Sequence, residues 1–542
     1  MGTTIDTEPA VEDEGAAGEE AAAAEGESTA PGTATTPSSR GVRGLPAAAG
    51  DLVRRHQLFA LALLIGALPR LGAVLGYRPA MWFNDAFEYL GVARRFEPYP
   101  IRPNGYSAML RVLQPFHSFA LVTVVQHLMG LVIAGLLYAL LRRWGLPAWL
   151  ATLGALPQLL DGNQVQLEHV ILSDTLFLLL LVGGLVLVAW RAQPTTLQAA
   201  AAGLLLAGAT LTRVVGLPLL LLACGWLVVR RVGWRPVVAF LVLAAVPLVG
   251  YASWFKAEHG QFALTTSDGV FLYSRVAIFA DCDKIHPPKH LAMICEDTEP
   301  DSRGDASSDY LWHPTGLNRI PGTQQEPMLP LERFSADRNT PAGEFARKAI
   351  LAQPFDYLRV GTKDIVRTFQ WGREAFPNAG AYSQFPFGGH LHGIPKDRVF
   401  IPGATAREDT TAYEHGKADT RRIQPFADWM AWYQKLTAVR GPFLLVILLV
   451  GTAGVVLAVR YRKTTTVGGP LGLFWLVAMA LVVIPPFTAQ YDLRYVIPAV
   501  PTGAVAAACA VFVAMSRSSG SASSASLSPD GSDDDSRQSA TT

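Results

Sequence analysis

Two carboxylates at the edges of apolar runs are the residues best placed to do chemistry. Phe83-Asn84-Asp85-Ala86-Phe87-Glu88-Tyr89 follows the first apolar run and leads through Arg94 and Arg95 to Ile101-Arg102-Pro103-Asn104. Glu168-His169-Val170-Ile171-Leu172-Ser173-Asp174 opens a later run, with Asp174 about one helical turn inside it. A carboxylate at the water–lipid boundary can take a proton from an attacking hydroxyl; the plain alternative for Asp85 is a solvated loop. An acid inside an apolar run is costly and reads as functional by default. The alternative for Asp174 is a helix-start residue favoured by the helix dipole. Glu168, just ahead of it, reads either as a substrate-binding group or, like Asp161, as a loop charge.

Arginines recur near the same boundary. Arg70 lies in the outer half of the first run, Arg213 at a junction between two runs, and Arg494 in Asp492-Leu493-Arg494-Tyr495-Val496-Ile497-Pro498. Snorkelling accounts for any one of them, and Arg494 could simply pair with Asp492. Together with Arg102 they could surround a phosphate, which guanidinium binds in a bidentate manner.

What positions these groups follows from composition and run length. Hydrophobic residues make up 50% of the chain and charged residues 16%, with a net charge of +1. No basic stretch suggests nucleic acid as a partner. About ten runs approach the length needed to cross a bilayer. They lie near 58–77, 118–141, 146–161, 170–190, 197–212, 214–230, 236–255, 442–459, 471–489 and 496–515. The third, fifth and sixth are short. Backbone groups cannot stay unpaired in hydrocarbon, so these runs must be helical. Arg54 and Arg55, Arg142 and Arg143, Arg191, Arg230, Arg231 and Arg235, then Arg460, Arg462 and Lys463 fall at alternate ends of the runs. That alternation predicts cytoplasmic clusters and cytoplasmic termini. It leaves 78–117, 161–169, the junction at Arg213, the long segment 256–441, and 490–495 outside.

The expected organisation has five parts: a disordered tail over 1–50, an N-terminal transmembrane catalytic module over 51–255, an outer loop domain of mixed structure over 256–441, C-terminal transmembrane helices over 442–515, and a second disordered tail over 516–542. No cleavable signal peptide is expected, because no apolar core follows Met1. Within the loop domain, Glu344 to Trp371 reads as a soluble-domain helix or an interfacial one, broken at Pro354. Cys224 and Cys509 fall in apolar runs and should pack as small apolar groups. Cys282 and Cys295 lie outside, where a disulfide can form; the alternative is a metal site with Asp281, Asp283, His286 or His290.

The order of these motifs resembles the GT-C superfamily of membrane glycosyltransferases, above all the protein O-mannosyltransferases and lipid A aminoarabinose transferases. Asp85 with Tyr89 four residues later is similar to the family's first-loop acid. Arg102-Pro103 resembles its basic residue before proline, with Arg in place of Lys. Ser173-Asp174-Thr175-Leu176-Phe177 resembles its Leu-Asp-Pro, with Thr in place of Pro. Leu211-Thr212-Arg213, Gln353-Pro354-Phe355-Asp356-Tyr357-Leu358 and Arg494-Tyr495 to Pro498 resemble later family features.

The resemblance implies an all-α, multi-pass membrane enzyme. It would move a sugar from a polyprenyl-phosphate donor to the hydroxyl of an extracytoplasmic glycan, lipid or protein, with inversion. By the same resemblance, Asp85 would be the base and Asp174 a second acid orienting Asp85, the acceptor or a base. Tyr89, Arg102, Arg213, Arg494 and Glu168 would bind substrate. No metal or cofactor is expected. The alternatives are a lipid-linked oligosaccharide flippase, which would usually show an internal repeat, and a non-catalytic scaffold.

Overall fold

The computed structural model describes residues 56–313, 315–320, 330–372, 375–460 and 468–525. The expected tail over 1–50 lies outside these residues, as do Arg54, Arg55, Arg462 and Lys463, so the alternation of charge at those points stays an expectation.

Ten apolar helices stand where the ten runs were read. Six are long and apolar enough to cross a membrane. They include α1 (Gln57–Gly76), α4 (Phe119–Arg143), α10 (Trp234–His259), α16 (Gly441–Arg460) and α17 (Gly468–Thr488). The sixth spans Leu493–Ser516 and comprises a short turn, α18 (Leu493–Val496), followed by α19 (Ala499–Ala525). The protein is therefore a membrane protein. Four are shorter: α5 (Ala148–Leu160), α7 (Asp174–Ala189), α8 (Thr196–Thr212) and α9 (Gly216–Val229). The longest of these four, with 17 residues, covers about 25 Å against a hydrocarbon thickness of about 30 Å.

Leu58, Leu61, Leu64, Leu68 and Leu71 on α1, and Val238, Leu241, Val242, Val246 and Val249 on α10, are exposed. An apolar face turned outward on a long helix fits hydrocarbon, not water. Small residues bring backbones close on the inner faces. A side chain added at Gly203 of α8 would collide with the Phe240 carbonyl of α10.

Three segments depart from the sequence reading. The stretch 161–169, expected as a turn facing water, forms a buried short helix, α6 (Gly162–His169). Asp161 ends α5 in an extended conformation and caps α6 through the Asn163 N–H. The polar side chains that follow find partners inside the protein, so they need no water. The last helix continues to Ala525, past the expected end at 515. Once a helix is nucleated, each added residue gains a bond at little cost, and no proline intervenes before Pro529. The segment 256–441 is mainly short helices and irregular chain. Among its described residues the strands are β2 (Val399–Ile401) with β3 (Ala404–Thr405), and β4 (Arg421–Arg422), which pairs with β1 (Tyr77–Arg78).

The segment after α1 contains α2 (Asn84–Arg95) and α3 (Gly105–Leu113). Asp85 to Ala93 are all buried. The cover comes from the long segment 256–441. Trp82, Phe87 and Leu90 share an apolar core with Phe385, Phe400, Tyr413 and Met430. Arg94 and Arg95 pair with Asp409 of α14 (Ala406–Glu414) at 2.8 and 2.6 Å. Val92, Tyr99 and Ile101 join a second core with α11 (Asp268–Val276) and α12 (Ala336–Ala352). The chain breaks after α12 at Gln353 and restarts at Pro354 as α13 (Pro354–Thr368), as the proline predicts. Cys282 and Cys295 form a disulfide beside this core, and Cys224 and Cys509 are free.

Candidate active site

A backbone stitch brings the two acids of the sequence reading into one neighbourhood. Met81 N–H donates to the His169 carbonyl at 3.2 Å, and Ile171 N–H donates to the Met81 carbonyl at 3.1 Å. Helix α2 starts three residues beyond Met81, and α7 starts three residues beyond Ile171. Their first turns therefore lie side by side, and each carries an acid, Asp85 and Asp174. The Tyr89 hydroxyl and Ser173 Oγ close the gap at 2.8 Å.

A second close approach brings in the bases. Gly105, at the start of α3, packs on the end of α8 so tightly that a Cβ would lie 2.6 Å from the Leu211 carbonyl oxygen. Only glycine fits there, and the contact sets Arg102 near Arg213. Finally, Asp492 caps α18 through the Arg494 N–H at 3.1 Å, which aims Arg494 inward.

The charges then interlock. Arg494 Nη1 lies 2.6 Å from Asp85 Oδ2, and Arg102 Nη1 lies 3.1 Å from the same oxygen. Arg102 Nη1 also lies 3.2 Å from Glu88 Oε2. Arg213 pairs with Asp174. The Tyr495 ring is shared by two cations, with Arg213 at 5.0 Å and Arg494 at 5.2 Å from its centroid. Arg102 lies over Tyr89 at 5.2 Å. Burial pushes the Asp85 carboxyl up, but Arg102 and Arg494 outweigh it and hold the group well below its ordinary value. Burial pushes Glu88 up to about 7, with Arg102 pulling it down and Asp85 pushing it up.

This cluster forms the wall between two cavities. One, of about 870 Å³, opens mainly among residues of the segments 78–117 and 256–441. Its lining includes Glu88, Ser307, Asn378, Gln384, Asp397 and Gln490. The other, of about 460 Å³, runs between apolar helices. Its lining includes Val214, Pro218, Leu272, Leu481, Ile484 and Pro498, with Tyr89 and Arg213 at its polar end. Asp85, Arg102, Arg494 and Tyr495 line both.

Five of the seven site residues of the sequence reading (Asp85, Tyr89, Arg102, Arg213 and Arg494) therefore meet at these cavities. Asp174 stands one step behind, holding Arg213, and its Oδ2 has no hydrogen-bond partner. Glu168 is elsewhere, and its expected role in substrate binding is corrected. It is fully buried, pairs with Arg70 at 2.8 Å and His127 at 3.1 Å, and lines neither cavity. Arg70 is held in the same way and is not part of the cluster around Asp85. Glu88, Asp492 and Tyr495 were not singled out. Glu88 carried a signal, since i and i+3 positions of a helix share a face and Asp85 lies three residues before it. Among the described residues, no three or more His, Cys, Asp or Glu side chains gather to hold a metal ion.

No protein-family model and no curated protein matches the chain. Solved structures that are similar to it include three membrane transferases. One is the protein O-mannosyltransferase Pmt1-Pmt2 complex of S. cerevisiae bound to the sugar donor, at 16% identity and TM-score 0.32 over 41% of this chain and 36% of that one. A second is the archaeal oligosaccharyltransferase AglB from Archaeoglobus fulgidus, with an inhibitory peptide and a dolichol-phosphate, at 12% identity and TM-score 0.38 over 88% and 52%. A third is ArnT from Cupriavidus metallidurans bound to undecaprenyl phosphate, at 14% identity and TM-score 0.32 over 86% and 78%. The chain thus spans about a third and a half of the length of the first two. The first and the third are the two kinds of transferase named for the sequence motifs.

Proposed function

We propose that the protein is a membrane glycosyltransferase moving a sugar from a polyprenyl-phosphate donor to an acceptor hydroxyl on the outer side of the membrane. The observation that carries this is the position of Asp85, Arg102 and Arg494 on the wall shared by a polar and an apolar cavity. A lipid-linked sugar has the same division. Its chain suits the apolar cavity, its phosphate suits the arginines at the cavity's end, and its sugar lies toward the polar side. The acceptor enters through the polar cavity.

Arg102, Arg213 and Arg494 are paired with carboxylates at rest, and a donor phosphate takes up some of the same donors. They then stabilise charge as it develops on the leaving phosphate oxygen. Asp174 keeps Arg213 extended toward the cavity. The Tyr495 ring spaces two cations that would otherwise repel. A single displacement with no covalent intermediate gives inversion at the anomeric carbon. In this reading all ten apolar helices span the bilayer, the termini are cytoplasmic, and 256–441 is the outer cover of the site.

The test is the full chain in proteoliposomes with a panel of labelled polyprenyl-phosphate hexoses and pentoses and an alkyl glycoside as acceptor. Release of polyprenyl phosphate together with a labelled glycoside is expected. Movement of intact lipid-linked sugar across the bilayer without cleavage would make the protein a flippase instead.

A further inference from the structure

Resting on the transferase reading, we infer that Glu88, and not Asp85, accepts the proton of the attacking hydroxyl. Glu88 lies one turn beyond Asp85 on the same helix face and lines the polar cavity, through which a hydroxyl would arrive. It does not line the apolar cavity, whereas Asp85 lines both.

The charge count separates the two acids. Asp85 has two guanidiniums on one oxygen, at 2.6 and 3.1 Å. The guanidinium nearest Glu88 is the one it shares with Asp85, at 3.2 Å, with Arg398 acting from farther away, and its Oε2 makes no hydrogen bond. Glu88 is nonetheless 4% exposed. A carboxylate gripped by two cations is a poor base, because its proton affinity is low. A buried carboxylate with half a counter-ion keeps its affinity for a proton. The pKa of Glu88, about 7, lies where a general base works best near neutral pH.

The step balances without a co-reactant. The acceptor oxygen forms a bond to the anomeric carbon as its proton passes to Glu88. The bond from that carbon to the phosphate oxygen breaks, and the electron pair leaves on the polyprenyl phosphate, held by Arg102 and Arg494. Glu88 then releases its proton to water in the polar cavity. Asp85 is a positioning residue that holds both arginines at the phosphate.

The groups facing Glu88 are Asp85 on its own helix, Arg102 and Tyr99 from the chain after it, and Arg398 from the outer segment. Across the same cavity stand Asp397, Asp492, Arg494, Arg333 and His313. Asp492 is also buried and shares Arg494 with Asp85, but its Oδ1 accepts the Arg494 N–H as a helix cap, whereas Glu88 Oε2 accepts no hydrogen bond. The pH dependence expected for donor cleavage is therefore that of Glu88.

The experiment measures cleavage of labelled polyprenyl-phosphate sugars by the full chain in proteoliposomes with an alkyl glycoside supplied as hydroxyl acceptor, from acid to alkaline pH, for the parent, Glu88→Gln, Glu88→Asp and Asp85→Asn. The parent rate should rise with pH through about 7 and level off. Glu88→Gln should lose about 100- to 10,000-fold, lose the rise, and still bind unlabelled polyprenyl phosphate. Sodium azide, a nucleophile that needs no proton removed, should restore donor cleavage in Glu88→Gln. Glu88→Asp should be slower and keep a rise with pH. Asp85→Asn should be slow but keep the rise, displaced to lower pH because a neighbouring negative charge is gone. A parent-like rate and profile in Glu88→Gln overturns the assignment and leaves the transferase reading intact. So does an Asp85→Asn variant that has lost the pH rise, or a Glu88→Gln variant that azide does not rescue. A parent that cleaves no donor in the panel overturns both readings.

Discussion

Two buried charge clusters lie within the same half of this protein, and only one of them faces open space. The closed cluster is built on Glu168. Its Oε1 accepts from Arg70 Nη2 at 2.8 Å and from Gln164 at 3.1 Å, and its Oε2 lies 2.8 Å from Arg70 Nε. His127 lies 3.1 Å away and continues through His169 Nδ1 at 3.1 Å to the Tyr77 carbonyl, which His169 Nε2 approaches at 2.7 Å. A carbonyl can only accept, so His169 donates from Nε2 and accepts at Nδ1 from His127. The chain of bonds leaves one proton shared between His127 and Glu168. The open cluster is built on Asp85. Its members line cavities, and Glu88 Oε2 and Asp174 Oδ2 lack hydrogen-bond partners. The charges are of the same types, and both clusters are largely buried. What differs is access. A buried ion pair with every oxygen engaged fixes a fold, whereas one with unspent acceptors beside a cavity can exchange partners with a ligand.

The contrast can be broken most forcefully from the closed side. Glu168→Gln leaves Arg70 buried without its counter-charge and should cost about 3–5 kcal/mol. Thermal unfolding in detergent should show the loss, while donor cleavage per folded molecule stays at the parent level. A selective loss of cleavage at unchanged stability would return Glu168 to the site. On the open side, Asp85→Asn should do the reverse. Cleavage should fall about 100- to 1,000-fold, with a smaller loss of stability than in Glu168→Gln, because Arg102 and Arg494 keep Glu88 and Asp492 as counter-charges. If the variant unfolds before it loses activity, the two clusters are not different in kind.

Smaller effects sharpen the comparison. The Cys282–Cys295 disulfide closes a short loop, and Cys282→Ser should lower stability by about 2–3 kcal/mol. Limited proteolysis of the outer segment would report it, and an unchanged cleavage pattern would count against a role for that loop in holding the cover. Arg213→Ala should weaken binding of polyprenyl phosphate about tenfold, as the loss of one charged hydrogen-bond donor predicts; equal affinity would remove Arg213 from the phosphate site.

The smallest expected effect is in stability against pH. Glu88 has a raised pKa in the folded state, so the fold holds its proton more tightly than the unfolded chain does. Stability from this group is present below its ordinary value of 4.5 and is lost as pH rises to about 7. Glu88→Gln removes that dependence and should raise the unfolding temperature at pH above 7 relative to the parent, with little difference near pH 4. Asp85 has the opposite sign, with a lowered pKa whose stabilisation is lost only as pH falls below 3.8.

Much of this was legible in the residues. Apolar runs marked the helices because hydrocarbon leaves the backbone no other way to pair its groups. The break at Pro354 followed from the missing N–H of proline. Asp85, Arg102, Arg213 and Arg494 stood out as charges at the rims of apolar runs, where they carry an energetic cost. Glu168 stood out for the same reason and proved to be internal, because a rim position in sequence does not say whether the chain then turns toward water. The segment after Asp161 turns inward instead, and its polar side chains are satisfied by α1, α4 and the outer segment. Glu88 was missed because it reads as one more loop acid until the cover buries it.

The sequence by itself determined which segments are helical and which charges are expensive, since both depend on local composition and on the free energy of moving a group out of water. Only the tertiary structure decided which charges share a counter-ion and which face a cavity. Those outcomes depend on contacts between segments far apart in the chain. Met81 meets His169, Gly105 meets Leu211, and Arg494 reaches Asp85 across more than 400 residues. No local pattern of residue types encodes such distances.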